Sequence, residues 1–276
     1  MSDSAKPAPY SPLAKALEAY YQEEVASFHM PGHKQRSGRY PLADQVLGAQ
    51  IWHADVSEMG GYDYLHAPQG ALVEAQQLAA DAFGAGETFF LVGGSTVGNL
   101  AAFLAYASDG QHVALLRGSH RSAYAGVVLT GAIPHYLPMV RDTARDGWFV
   151  ADPSAIADLP DSLAMIHITR PNYYGMAVDL APWRALADRT GAVLVVDEAH
   201  GSHFGLHPAF PRSALQEGAD IVIQSTHKTL GALTQASMMH VRKGSKVNVD
   251  ALKRALPMLQ SSSPSVVLSL SLDLAA

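Results

Sequence analysis

The sequence contains no cysteine, which excludes disulfides and thiolate metal sites. It has no basic run, and its formal charge is -6. The electrostatic footprint of a nucleic-acid binder is therefore missing. No apolar segment reaches membrane-spanning length, and the start Met1-Ser2-Asp3-Ser4-Ala5-Lys6-Pro7 lacks the apolar core of a signal peptide. These absences predict a cytoplasmic protein with neither nucleic-acid nor membrane partners. There are 13 histidines but no HExxH string. Neither a Walker A loop nor a dinucleotide GxGxxG occurs, and no repeat period shows. Present instead are 276 residues, 48% hydrophobic and 16% charged, enough for one large α/β domain or two small ones.

Residues 1–11 read as a Ser/Pro/Ala-rich arm, and 12–25 as a short helix carrying Leu13, Ala16, Leu17 and Tyr20 on one face. The string Ser27-Phe28-His29-Met30-Pro31-Gly32-His33-Lys34 contains a Pro-Gly turn among aromatic and histidine neighbours. Residues 38–70 have little periodicity. Asp55, Glu58, Asp63 and His66 fall there, as part of a substrate mouth or as solvated loop charges. A helix is expected over 69–83, ended by Gly84. Short apolar strands follow at 88–92, 113–116, 133–137, 164–168, 193–197, 221–224 and 236–241, most of them separated by helical segments. That alternation predicts an α/β fold, a doubly wound, mostly parallel seven-stranded sheet. Helices are expected over 247–259 and 265–274.

The strand 221–224 runs into Ser225-Thr226-His227-Lys228. In open α/β sheets ligands bind at that carboxyl edge. A lysine buried there would favour its neutral amine, which attacks carbonyls. Pyridoxal phosphate (PLP) is the commonest aldehyde held in this way. Ser225 and His227 suit the cofactor's phosphate. The loop Gly93-Gly94-Ser95-Thr96-Val97-Gly98-Asn99 opens a helix and reads either as a phosphate cradle or as a plain capped turn. Val196-Asp197-Glu198-Ala199-His200 ends an apolar strand with two acids and a histidine. A buried acid needs a partner. A pyridinium N–H would serve, a metal held by Asp197, Glu198 and His200 is the rival, and structural capping is the third possibility. In the extended strand Glu198 should point away from Asp197. His120 follows the second strand and could lie flat on a cofactor ring. Thr169-Arg170-Pro171-Asn172-Tyr173-Tyr174-Gly175 follows the fourth. All these polar clusters end strands on one side of the predicted sheet.

Together the strings resemble the Orn/Lys/Arg decarboxylase major domain of fold-type-I PLP enzymes, in its short wingless bacterial form. The resemblance runs from Phe28-His29-Met30-Pro31-Gly32-His33-Lys34 to Leu259-Gln260-Ser261-Ser262-Ser263-Pro264-Ser265. It implies a PLP-dependent transferase-like large domain that decarboxylates lysine, ornithine or arginine. It implies that Lys228 holds the cofactor as a Schiff base, Asp197 pairs with the pyridine nitrogen, and His120 stacks on the ring. Ser95, Thr96, Ser225 and His227 would hold the phosphate, and His200 would help orient the ring. Fold-type-I sites usually lie at a dimer interface, so a homodimer is implied, with the 261–263 loop reaching the neighbour's phosphate.

Two departures stand out. The family pattern has smaller residues where Arg170 and Asn172 stand, changes that bear on substrate choice. Family members also continue into a small C-terminal domain that helps shape the substrate pocket, and its absence from this sequence reads either as a fragment or as a truncated paralogue with impaired activity. The expected organisation is an arm and irregular segment (1–68), a PLP-binding large domain (69–260) and the start of a C-terminal connection (261–276). Within the last, Val266, Val267, Leu268, Leu270, Leu272 and Leu274 exceed what one helix face needs, and an exposed apolar patch is expected. The competing functions are another fold-type-I aminotransferase or lyase, a truncated inactive paralogue, and a metal-dependent hydrolase.

Overall fold

The computed structural model describes residues 10–23, 25–57, 63–143 and 147–276. Helix α1 (Pro12–Gln22) starts where the Ser11 hydroxyl accepts from Ala14 N, with proline in the first turn. The segment expected to be irregular holds two short helices, α2 (Pro41–Leu47) and α3 (Ile51–Ala54). Helix α4 (Ala71–Phe83) ends at Gly84, whose φ of 71° suits glycine. Its start has no cap from Gly70, and Asp63 fills that role: its carboxylate accepts from the N–H groups of Gln69, Gly70 and Leu72 at 2.9, 2.6 and 3.2 Å.

Strand β1 (Ala85–Leu91) leads through a glycine turn into α5 (Gly94–Tyr106). Strand β2 (His112–Leu116), α6 (Arg121–Thr130) and β3 (Ile133–Leu137) follow. A separate antiparallel hairpin, β4 (Met139–Asp142) with β5 (Gly147–Ala151), was not anticipated. Then come β6 (Met165–Thr169), α7 (Ala181–Thr190), β7 (Val193–Asp197) and β8 (Ile221–Gln224). The chain closes with the single turn α8 (Thr226–Thr229), β9 (Ser237–Arg242), α9 (Val249–Leu259) and α10 (Val266–Asp273).

The main sheet has seven strands in the order β1-β9-β8-β7-β6-β2-β3. Strands β3, β2, β6, β7 and β8 pair parallel. Strand β9 runs antiparallel to both β8 and β1, so β1 points the same way as the parallel set. The expected α/β, mostly parallel sheet is therefore present, and β1, β2, β6, β7 and β8 all end on one edge.

Alternation along the strands builds a core on each face. Val113, Leu115, Val195 and Ile223 face α5 and α9. Ala114, Leu116, Val196 and Val222 face α7, where Trp183 is fully buried. A third cluster joins α1, α4 and α10 to the outer end of the sheet through Phe90, Val92 and Met238. This corrects the expectation of an apolar patch on α10. Val266 and Leu272 are buried, Leu268 and Leu270 pack partly against α1 and α4, and only Leu274 of the named residues is a large exposed hydrophobic, at 61%. Asp273 also ties α10 to α1, accepting from the Ser11 hydroxyl at 2.5 Å and Leu13 N at 2.9 Å.

One buried polar line crosses the sheet. Thr88 Oγ1 lies 2.8 Å from His240 Nδ1, His240 Nε2 lies 3.1 Å from Gln224 Oε1, and Gln224 Nε2 donates to Glu198 Oε2 at 2.8 Å. Because Gln224 Oε1 can only accept, the ring carries its proton on Nε2. Burial pushes the His240 imidazole down to about 3 from the ordinary 6.5. The unfolded chain takes up a proton below about pH 6.5 that the native ring refuses until about pH 3. Stability from this residue is therefore fully present above 6.5 and is lost as pH falls through that window, on the order of 4–5 kcal/mol in all. Urea unfolding between pH 7 and 4 is expected to show this slope, and His240→Asn to flatten it.

Candidate active site

The carboxyl edge of the sheet holds a cavity of about 630 Å³. Every residue assigned from sequence to the cofactor lines it: Ser95, Thr96, His120, Asp197, His200, Ser225, His227 and Lys228. The common direction of β1, β2, β6, β7 and β8 delivers their terminal residues to one place.

On the phosphate-suited side, Gly94 adopts φ 75°, a conformation open to glycine without strain. Gly98 has no side chain to keep α5 off the sheet: a Cβ there would meet Ile223 Cγ2 at 2.8 Å. The first turn of α5 has no side-chain cap, and apart from Gly94 N, which Gln235 O takes, its N–H groups suit an anion. Ser95 Oγ and Ser225 Oγ lie 2.8 Å apart and are both buried, whereas Thr96 is exposed. His227 Nδ1 donates to Ala236 O at 2.8 Å, which fixes the ring. Gln235, which the sequence reading passed over, sits at φ 78° and accepts from Gly94 N at 2.8 Å, clamping the glycine loop.

Asp197 is 2% exposed. Its Oδ2 accepts from Asn99 Nδ2 at 2.9 Å and its Oδ1 from Ala199 N at 3.1 Å. Both donors are neutral, and no ion pair to Asp197 occurs among the described residues. A buried carboxylate facing a cavity in this way retains capacity for a cationic N–H partner. That is the requirement a pyridinium would meet, so these residues fit PLP. Among the described residues no cluster suited to a metal occurs, and Glu198 points away from Asp197 as the alternation predicts.

Lys228 differs from expectation in being exposed rather than buried. The one-turn helix α8 swings it to the open side of the edge. Its Nζ lies 3.2 Å from His200 Nε2. Burial and the adjacent Lys228 cation push the His200 imidazole below its ordinary value, so a neutral ring accepts from the ammonium. Tyr173 meets His200 edge-on at 5.7 Å. His120 caps α6, and Ser122 N donates to its Nδ1 at 3.3 Å. The Ser122 hydroxyl lies 2.8 Å from the same atom, which leaves the ring proton on Nε2.

Other assignments are corrected. Arg170 does not line this cavity. It is 3% exposed and pairs with Glu198 at 3.1 Å and Glu217 at 2.7 Å, beside the Phe204 ring. Burial pushes Glu198 up to about 8, against the pull of Gln224, Ala214 N–H and Arg170. Arg170 is thus a structural cation, and Arg170→Ala is expected to cost about 1–3 kcal/mol, read by urea denaturation, because Glu217, Val178 O and Arg212 O lose their donor along with Glu198. Asn172 Oδ1 accepts from Tyr174 N and Met176 N, both at 3.0 Å, and shapes the turn. Asp55 pairs with His33 at 3.2 Å, Asp63 caps α4, and His66 Nε2 lies 2.7 Å from Ser261 O. None of these three lines the cavity, and Glu58 lies outside the described residues.

The fold is that of the large domain of fold-type-I enzymes. The chain belongs to the family described as Orn/Lys/Arg decarboxylase, major domain, whose profile matches residues 11–276. It is 40% identical over 269 residues to the uncharacterized protein YaaO of Bacillus subtilis (strain 168), covering 96% of this chain and 56% of that one. It is 35% identical to an arginine decarboxylase of the same organism, covering 96% and 54%. The chain thus spans about half the length of the curated relatives it matches. Among solved structures, the Francisella novicida lysine decarboxylase LdcF superposes with a TM-score of 0.83 at 21% identity, over 97% of this chain and 40% of that one. A serine palmitoyltransferase variant from S. paucimobilis with a bound PLP–myriocin aldimine superposes with a TM-score of 0.56 at 20% identity, over 73% and 50%. No helix among the described residues is long and apolar enough to cross a membrane.

Proposed function

We propose that this chain is the PLP-binding part of a decarboxylase that converts lysine, ornithine or arginine to the corresponding amine and CO2. The observation that carries the reading is the buried Asp197 carboxylate with only neutral donors, in the same cavity as Lys228. Family membership and an arginine decarboxylase relative support the substrate class.

PLP, when bound, supplies an electron sink for the pair left by the Cα–carboxylate bond. Lys228 would hold it covalently, and Asp197 would keep its ring nitrogen protonated. Ser95, Ser225 and the first turn of α5 would hold the phosphate, with Thr96 and His227 at its rim. His120 would cover the ring face and His200 its edge. Lys228 Nζ and His200 Nε2, 3.2 Å apart, can pass a proton at the cavity mouth.

Self-association belongs to the same reading. Helix α2 buries none of its residues, and Phe28, Leu42, Val46 and Leu47 are 93, 74, 72 and 61% exposed. So many uncovered apolar side chains call for a covering surface, which we assign to a second copy. Leu42→Glu with Val46→Glu is expected to shift sedimentation toward monomer. The catalytic test is release of labelled CO2 from carboxyl-labelled arginine, lysine and ornithine by the purified full chain with PLP. Release from at least one is expected; release from none of them overturns the reading.

A further inference from the structure

Asn99 is the one polar side chain deep in α5 that touches both halves of the cavity. It is 1% exposed and sits one turn after Ser95 on the same helix face. Its Nδ2 donates to Asp197 Oδ2 and to Ser122 Oγ, each at 2.9 Å. Its Oδ1 lies 3.0 Å from His167 Nε2. This orientation is fixed by its neighbours. Flipping the amide would set its oxygen against the Asp197 carboxylate and its NH2 against the His167 ring. His167 is fully buried between Asn99 and the Phe103 ring, 5.7 Å away. Burial pushes this imidazole below its ordinary value, so the neutral ring donates its Nε2 proton to Asn99.

The chain continues on the other side. Ser122 Oγ accepts from Asn99, and its hydroxyl proton is free for His120 Nδ1 at 2.8 Å. One amide therefore links β6 through His167, β7 through Asp197 and the start of α6 through Ser122. It meets the acid on the cavity floor directly and the imidazole at the rim through one hydroxyl.

We propose that Asn99 is a positioning residue that aims the Asp197 carboxylate at the cofactor's ring nitrogen and, through Ser122, sets the His120 ring. The inference rests on the cavity being a PLP site. It assigns Asn99 a role beyond filling a buried polar position, because the orientation it enforces matters only to a ligand atom facing Asp197. His167 sits one step further back, its Nε2–H donating to the amide oxygen that the Asp197 contact orients.

The test compares two ligands on the full chain freed of cofactor: PLP, and its 1-deaza analogue, which has a C–H in place of the ring nitrogen. Affinities are measured for the unmodified chain, Asn99→Ser and the nearly isosteric Asn99→Asp, with melting curves confirming that each is folded. Asn99→Ser is expected to weaken PLP at least about tenfold more than the analogue, the scale of a hydrogen bond to a charged group. Asn99→Asp, which can no longer donate to Asp197 Oδ2, is expected to lose PLP preferentially as well, by less because its added negative charge also favours the cationic ring nitrogen. If both variants lose the two ligands equally, Asn99 is only a structural amide and the proposal is overturned. If the unmodified chain binds neither ligand, the PLP reading itself falls, an outcome distinct from equal loss.

Discussion

Lys228→Ala is expected to abolish covalent attachment of PLP and to lower CO2 release on the order of ten-thousandfold or more, as removal of a covalent-catalysis group does elsewhere. Among the described residues, Lys228 is the lysine that lines the carboxyl-edge cavity. It is held beside the His200 ring, which keeps its Nζ directed at the opening. Alanine removes the amine without disturbing the core, since Lys228 is exposed and α8 is a single turn. The fold should therefore survive, and Ser95, Ser225 and Asp197 remain to hold the cofactor without a covalent bond. The check is absorbance and mass of the protein after PLP addition, alongside labelled-CO2 release. Turnover within tenfold of the unmodified chain would remove Lys228 from the chemistry.

Asp197→Asn is expected to weaken PLP without abolishing its binding and, with PLP saturating, to slow turnover by about a hundred- to a thousandfold, the range seen when one aligned charge-stabilising group is removed. The amide has the same shape, so β7 should keep its register. Its single oxygen cannot accept from both Asn99 Nδ2 and Ala199 N as the two carboxylate oxygens do. A neutral amide also cannot hold a proton on a ring nitrogen, so electrons released at Cα find a weaker sink. Glu198 offers no substitute. It follows Asp197 on the opposite face, bound to Arg170, Gln224 and Ala214 N. Steady-state release of CO2 with PLP saturating separates the two effects: a lower kcat at unchanged cofactor occupancy is the expected pattern.

The sheet was legible because its strands are short apolar runs separated by turn residues. Residues 193–197 and 221–224 are nearly all β-branched or aliphatic, and both are strands buried on two faces. The cavity followed from topology: polar strings after parallel strands must gather at one edge. The hairpin was not legible, because Met139–Asp142 carries Arg141 and Asp142 and reads as connecting chain. The exposure of Lys228 depends on α8 being a single turn, which no local pattern reveals. Arg170 was open to a better reading. The alternation that separates Asp197 from Glu198 applies equally to Thr169 and Arg170, and it sends Thr169 to the cavity and Arg170 to the far face. Asn99 had a signal as well, since a large polar residue stands in an otherwise apolar helix one turn after Ser95. Its partners Ser122 and His167 are distant in sequence, and only the packing of α5 on the sheet brings them together.

The central claim is that the Ser225–Lys228 strand end and the Asp197 strand end form one PLP site. It is tested most directly by adding PLP to the purified full chain, reducing with borohydride, and mapping the fixed cofactor by peptide mass. The account predicts a pyridoxyl mass on the peptide containing Lys228, and on that peptide alone. A label on another lysine, or none at all, would contradict it.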